Sequence, residues 1–260
     1  MTQRLSYELN PPRIFHGEPK GIHQLNDNLD LMLGRARKVS DFVDCIQLTD
    51  SVLGEPRLSS INTAYRLIRS LERSVKIRCN IRVSDHNLNG IVQMAGDAVL
   101  AGLEGMLLLR GDVPRYGQPI SQKPSEILST LRELGIAKAG LSLYLGTSCK
   151  PEERNLEQKL RAEPDGLITQ PVDDLESISK LYNDLHSRGF SLIATVLVPS
   201  VKNVRSAALM NLDWSYYSKD PSDFVHSLSR SCSEVLITSP NSFDEGLGLL
   251  RDISNDSRVI

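Results

Sequence analysis

The sequence predicts an α/β protein, a single (β/α)8 TIM barrel occupying residues 1–260. Three observations carry that expectation. Strand-like runs alternate with segments of helical period, the pattern of parallel strands joined by helical crossovers. Eight such units in about 250 residues is the size of one barrel. An open doubly wound sheet would place a glycine-rich phosphate turn after its first strand, and Asn10-Pro11-Pro12-Arg13 stands there instead.

The first strand is Ser6–Leu9, stopped by Pro11-Pro12, because proline neither donates to a ladder nor continues a helix. Glu8 is an acid inside it. Leu25, Leu29, Leu33 and Ala36 recur at helical spacing over His23–Lys38. Val43–Leu48 is the second strand and ends at Thr49-Asp50. Leu58–Leu71 is the next helix, with Ser59 and Ser60 placed to cap it. Lys76–Val83 is a strand and Asn87–Ala101 a helix. Met106–Leu109 reads as a strand buried on both faces, and it stops at the charged turn Arg110-Gly111-Asp112-Val113-Pro114. Pro124–Leu134 is a helix with an early proline.

Gly140–Leu145 and Asp165–Gln170 are strands, separated by the charged helix Pro151–Glu163. Asp174–Arg188 is a helix stopped by Gly189, which tolerates left-handed geometry. Ser191–Val198 is a β-branched strand. Val201–Met210 and Asp220–Ser231 are helices, Val235–Thr238 the last strand and Phe243–Ile253 the last helix. A lid or an extra helix would lie in the irregular stretch after Met210, through Trp214-Ser215-Tyr216-Tyr217.

With a formal net charge of -2 and scattered basic residues, nothing in the sequence points to a nucleic-acid groove or a membrane surface. No apolar run reaches the roughly 18 residues a membrane span needs. The opening MTQRLSYELNPPR is too polar for a secretory signal. Cys45, Cys79, Cys149 and Cys232 are far apart and form no CxxC pair, which argues for free thiols in a cytoplasmic protein.

A barrel brings the carboxyl ends of its strands to one mouth. In strand order the ends offer Glu8; Thr49 and Asp50; Asn80, Arg82 and Asp85; Arg110 and Asp112; Tyr144; Thr169 and Gln170; and, from the eighth, Thr238, Ser239 and Asn241. No histidine cluster has metal spacing, no GxSxG occurs, and no lysine falls at a strand end as a Schiff base. The set suits binding a flat hydrogen-bonding heterocycle and moving a proton. The bland readings are that Glu8 is salt-bridged in the barrel floor or lies on an exposed strand edge, that Asp112 caps a nearby helix, and that Gln170 satisfies loop backbone; for Glu8 the cost of an unpaired buried carboxylate favours function. Lys159 sits on a charged helix, where a solvated ammonium is the ordinary outcome.

Several motifs resemble the methylenetetrahydrofolate reductase family. YELNPPR at Tyr7–Arg13 is similar to its opening strand, LGEPRLSSI at Leu53–Ile61 to its second crossover and SDHNLNGI at Ser84–Ile91 to its third-strand loop. LLLRGDVP at Leu107–Pro114 resembles its fourth-strand turn, and NLEQKLRAEPDGLITQPVDD at Asn155–Asp174 its fifth helix and sixth strand. The likeness runs from Tyr7 to Ala207. It implies reduction of 5,10-methylenetetrahydrofolate to 5-methyltetrahydrofolate with hydride from NAD(P)H through FAD, in a cytoplasmic homo-oligomer of one-carbon metabolism and methionine biosynthesis. Glu8 would be the general acid, Asp112 would bind the pterin and tune the flavin, and Gln170 would bind the pterin. Thr49, Asn80, Arg110, Gly111, Asp112, Tyr144, Asn155 and Lys159 match flavin-contacting positions. The resemblance also implies that Glu8 and Asp112 face one cavity.

The pattern has departures. Asn80 stands for a family histidine, Lys123-Pro124 for a tyrosine-alanine pair, and Ser242 for an arginine; Glu152 is the nearest match to an aspartate. They bear on flavin more than on Glu8. They leave two alternatives open: a flavin-independent or other-pterin reductase, and a non-redox pterin-binding barrel that works with a partner subunit.

Overall fold

The strands β1 (Leu5–Leu9), β2 (Cys45–Leu48), β3 (Lys76–Arg82), β4 (Gly105–Leu109), β5 (Ser142–Thr147), β6 (Gly166–Pro171), β7 (Ser191–Leu197) and β8 (Glu234–Thr238) pair in parallel, each with its neighbours in sequence. β8 pairs back onto β1, so the sheet closes into a barrel of eight strands. This computed structural model describes residues 4–14 and 21–255. Residues 1–3, which open the polar N-terminus, lie outside them.

The helices α1 (Gly21–Ser40), α2 (Ser60–Ser70), α3 (Leu88–Leu100), α4 (Pro124–Glu133), α5 (Glu153–Leu160), α6 (Leu175–Ser187), α7 (Val204–Leu209), α8 (Pro221–Ser229) and α9 (Phe243–Asn255) form the outer layer. Polar side chains cap the starts of α2, α3, α6 and α8. Ser59 accepts the Asn62 amide, Asn87 that of Gly90, Asp174 that of Ser177 and Asp220 that of Asp223. Ser60, the other expected cap, instead donates to the Asn80 carbonyl at 3.1 Å and ties α2 to β3.

Several boundaries differ from the sequence expectation, and left-handed residues explain most of them. β5 starts at Ser142 because Gly140 turns the chain at φ 91°. The charged helix ends at Leu160, with Glu163 at φ 55° leading out of it. The expected helix Val201–Met210 is a 3-10 turn, Val201–Asn203, followed by the short α7, and Asn211 at φ 50° follows it. The stretch 211–220 carries turns and no helix, and α8 is the helix expected over Asp220–Ser231. Tyr217 anchors it by stacking on Phe224 at 4.2 Å and donating to the Leu197 carbonyl at 3.0 Å.

Alternation along each strand separates two cores. Tyr7, Ile46, Ile77, Met106 and Leu143 join the large apolar cluster between barrel and helices. Leu107, Tyr144, Ile168, Ile193 and Leu236 form a separate cluster, the lumen. Ser6 pairs with Leu236, and Glu8 shares its parity, so Glu8 points inward.

Toward the amino end the lumen is polar. Arg78 is fully buried there. It lies 3.0 Å from Glu104 and 3.1 Å from Glu234, donates to Gln47 at 3.1 Å and packs over the Tyr144 ring at 4.6 Å. Arg4 reaches Glu234 from the surface at 3.5 Å. Removing one partner from a buried ion pair leaves an uncompensated charge, which typically costs about 3–5 kcal/mol. Arg78→Met should lower unfolding stability by that amount in urea titration. A loss below about 1 kcal/mol would mean that Glu234 and Glu104 do not depend on Arg78.

Candidate active site

Every strand ends at the same face, so the β1, β2, β3 and β4 loops meet there. Glu8 is the penultimate residue of β1 and is partly exposed at this mouth. Its Oε1 accepts a hydrogen bond from the Thr238 hydroxyl at 2.7 Å. Burial pushes its carboxyl pKa up, against the lowering effects of Thr238 and of the Arg57 charge.

Arg57 is held close by the proline turn. It donates to the Pro11 carbonyl at 2.7 Å, and Arg13 and Arg57 form an antiparallel bridge between the β1 and β2 loops. Burial, with Arg13 nearby, lowers the Arg57 pKa to about 10. Glu55 ties in both neighbouring loops, 3.1 Å from Arg13 and 3.7 Å from Arg115.

The turn after β4 is pinned from below. Arg82, buried at the end of β3, donates to the carbonyls of Ser51 and Asp112 and pairs with Asp85 at 3.4 Å. Its own amide is held by Asp50 at 2.9 Å. Gly111 has φ 84°, and a Cβ there would collide with the Arg82 side chain, so glycine is required on both counts. Asp112 is exposed, and its Oδ2 accepts the Leu53 amide at 3.0 Å. It caps no helix: α4 begins only at Pro124.

The remaining predicted residues divide. Thr49 is buried and donates to Asn10 at 2.7 Å. Asn80 is buried and accepts from Gln47 at 2.9 Å. Tyr144 points away from the mouth, with its hydroxyl donating to Glu104 at 3.0 Å beside Arg78. Arg110 and Gln170 are exposed at the ends of β4 and β6. Asn155 is exposed and donates to Glu152. Lys159 is half-buried, not solvated. Its Nζ donates to the Gly146 carbonyl at 2.7 Å, and burial lowers its pKa.

Glu8 and Asp112 therefore lie at the same end of the barrel. A cavity of about 100 Å³ beside Glu8 is lined also by Tyr7, Arg35, Asn241 and Phe243, so it opens along the outer side of β1 toward α1 and α9, and neither Asp112 nor Gln170 lines it. Sequence reasoning overlooked Arg57, although it lies in the LGEPR stretch. Glu8 was legible, but the basic residue answering it comes from another loop. Among the described residues no His, Cys, Asp or Glu cluster could hold a metal, and no helix is long and apolar enough to cross a membrane.

The fold and this face define a (β/α)8 barrel whose carboxyl mouth carries an inward acid on its first strand. The sequence profile of methylenetetrahydrofolate reductase matches residues 1–212, and the chain belongs to that family. Membership makes it an oxidoreductase of folate chemistry, in a family that is generally flavin-dependent. No curated protein sequence matches the chain.

Solved structures share the fold at low identity. The tryptophan synthase alpha chain from Legionella pneumophila aligns with TM-score 0.58 and 12% identity, over 98% of this chain and 93% of that one. A 2,3-dimethylmalate lyase aligns with TM-score 0.57 and 9% identity, over 91% and 75%. Deoxyribose phosphate aldolase from Aeropyrum pernix aligns with TM-score 0.56 and 12% identity, over 97% and 90%. At these identities the likeness is one of fold alone.

The raised Glu8 pKa has a consequence for stability. The folded state binds the Glu8 proton more tightly than the unfolded chain, so the cost of burying the charge is absent below the ordinary glutamate pKa of about 4.3. It grows as pH rises through the folded value. Glu8→Gln keeps an acceptor for Thr238 and removes the charge. Its melting temperature should match wild type near pH 4 and exceed it increasingly toward pH 8. A gap independent of pH, or wild type the more stable at pH 8, would contradict the assignment.

Proposed function

We propose that the chain is a single-domain enzyme reducing 5,10-methylenetetrahydrofolate to 5-methyltetrahydrofolate with hydride from NAD(P)H. The observation that carries this reading is the inward Glu8 carboxyl with its raised pKa. The five-membered ring of the substrate must open before hydride can arrive. Glu8 gives its proton to the departing ring nitrogen, the carbon–nitrogen bond breaks with its electron pair going to that nitrogen, and an iminium carbon remains. Hydride from the nicotinamide then makes that carbon a methyl group and leaves NAD(P)+. A carboxyl can donate in this way near neutral pH only if its proton is held, and burial favours that.

Asp112 and Gln170 would bind the pterin. Both are exposed at the mouth, where a carboxylate and an amide can pair with the donors and acceptors of a flat heterocycle. The Asp112 carboxylate is oriented by the Leu53 amide, which occupies one of its two oxygens.

The residues matching flavin positions are a poor set for FAD. Thr49, Asn80 and Tyr144 are engaged with Asn10, Gln47 and Glu104, and one side of Gly111 is filled by Arg82. This favours hydride transfer directly from NAD(P)H, and no step above passes through flavin. The flavin-bearing reading keeps one specific support. Lys159 is a half-buried ammonium bonded to a carbonyl, and with Arg110 it could neutralise a diphosphate. The reading implies a cytoplasmic homo-oligomer.

The ultraviolet-visible spectrum of the purified protein separates the two routes. Folate reduction without flavin absorbance supports the direct route, and stoichiometric flavin supports the other. Glu8→Gln should cut folate reduction by at least about a hundredfold, the lower range for losing a general acid. Full activity in that variant would refute the role of Glu8. NADH oxidation absent at every folate concentration, with folate bound in calorimetry, would favour the pterin-binding barrel instead.

A further inference from the structure

Thr238 lies beyond residues 1–212, the stretch that matches the family profile. Its geometry alone defines what it does. It is the last residue of β8 and is buried. Its backbone is held between two strands, paired with Leu197 of β7 and Glu8 of β1, and its carbonyl accepts the Val198 amide at 2.9 Å. A β-branched side chain on so constrained a backbone has few rotamers. Its hydroxyl meets Glu8 Oε1 at 2.7 Å.

We propose that Thr238 is a positioning residue that holds the Glu8 carboxyl through Oε1 and thereby leaves the acidic proton to Oε2. The hydroxyl donates to Oε1, which makes that oxygen the carbonyl-like one. Among the described residues no side chain or amide donates to Oε2, the oxygen left to carry and deliver the proton. The bond strengthens when Glu8 becomes a carboxylate, because hydrogen bonds to ionised acceptors are about twice as strong as neutral ones. Thr238 thus stabilises Glu8 after the proton has left, which helps the acid give it up.

Two other groups bear on Glu8. Arg57 on the β2 loop favours the carboxylate, and Tyr7 on the same strand is a neighbour whose own pKa is raised by burial and, more weakly, by Glu8. Neither bonds to the carboxyl. Thr238 is therefore the contact that sets its orientation.

The inference rests on Glu8 being the acid, so its test needs a readout independent of turnover. The protein carrying [δ-13C]glutamate is titrated by NMR, with the Glu8 signal assigned by its loss in Glu8→Gln. Thr238→Val should raise the Glu8 midpoint by about one pH unit, a tenfold change in proton affinity. Thr238→Ser, which keeps the hydroxyl, should leave it near wild type. In folate reduction Thr238→Val should lower kcat about tenfold with little change in KM, and the high-pH limb should move upward with the acid.

An unchanged Glu8 midpoint in Thr238→Val overturns the proposal, as does a shift in Thr238→Ser as large as in Thr238→Val. Either result leaves the role of Glu8 standing if Glu8→Gln is inactive. Conversely, the expected NMR shifts alongside a fully active Glu8→Gln would uphold the hydrogen bond and remove the catalytic reading.

Discussion

Closure of β8 onto β1 is the constraint on which the rest depends. Pairing of Glu8 with both Thr238 and Gln47 fixes which face of β1 looks inward. A slip of one residue would put Tyr7 into the lumen and Glu8 against the helices. Tyr7 is instead packed edge-on to Phe243 at 6.2 Å, on the outer side. One register thus does two jobs. It completes the hydrogen-bond ladder that leaves no open edge, and it delivers a carboxyl to the mouth already in contact with a hydroxyl donor.

The mouth is built from loops, yet the loops are not free to wander. Arg82 joins the β2 and β4 turns from beneath, and the Leu53 amide meets Asp112 from above. Leu53 is a non-glycine residue at φ 56°, a conformation that costs about 1–3 kcal/mol and persists only where neighbours enforce it. The neighbours are identifiable: its amide is taken by Asp112, and the following Gly54 carbonyl accepts the Arg115 amide at 3.0 Å. Holding strain in this place keeps Asp112 oriented without using its second oxygen.

The strand count and the direction of the chain were legible, because alternation and helical period are local properties of sequence; Glu8 stood out only as an acid at a strand end and through the family resemblance. Three of the boundaries that moved did so near Gly140, Glu163 and Asn211, where left-handed backbone ends or starts an element. Composition hints at such turns for glycine but hardly for Glu163. Tyr144 shows a different limit. Its inward parity can be read from β5, but whether it tips toward mouth or floor depends on Arg78 and Glu104, far away in sequence. Arg82 was visible as a polar strand end, while its use as a clamp needs the Ser51 and Asp112 carbonyls to be in place. Long-range partners, not residue types, are what sequence reasoning lacked.

The polar groups of the lumen fall into two sets with opposite physical purposes. At the floor, Arg78 is matched by two carboxylates and an amide, so the buried charge is answered on several sides. At the mouth, Glu8 is only partly exposed, with one hydroxyl bonded to it and Arg57 near but not in contact, and its charged form remains disfavoured. A barrel needing only stability would treat Glu8 like Glu234 and pair it directly with a guanidinium. Direct pairing would hold the carboxylate ionised and end its use as an acid. Burial keeps the proton affinity high, while a donor on one oxygen and a cation held at a distance by Pro11 offset it only in part and leave the second oxygen available. That compromise costs stability at neutral pH, and the proposed role of Glu8 as a proton donor accounts for it.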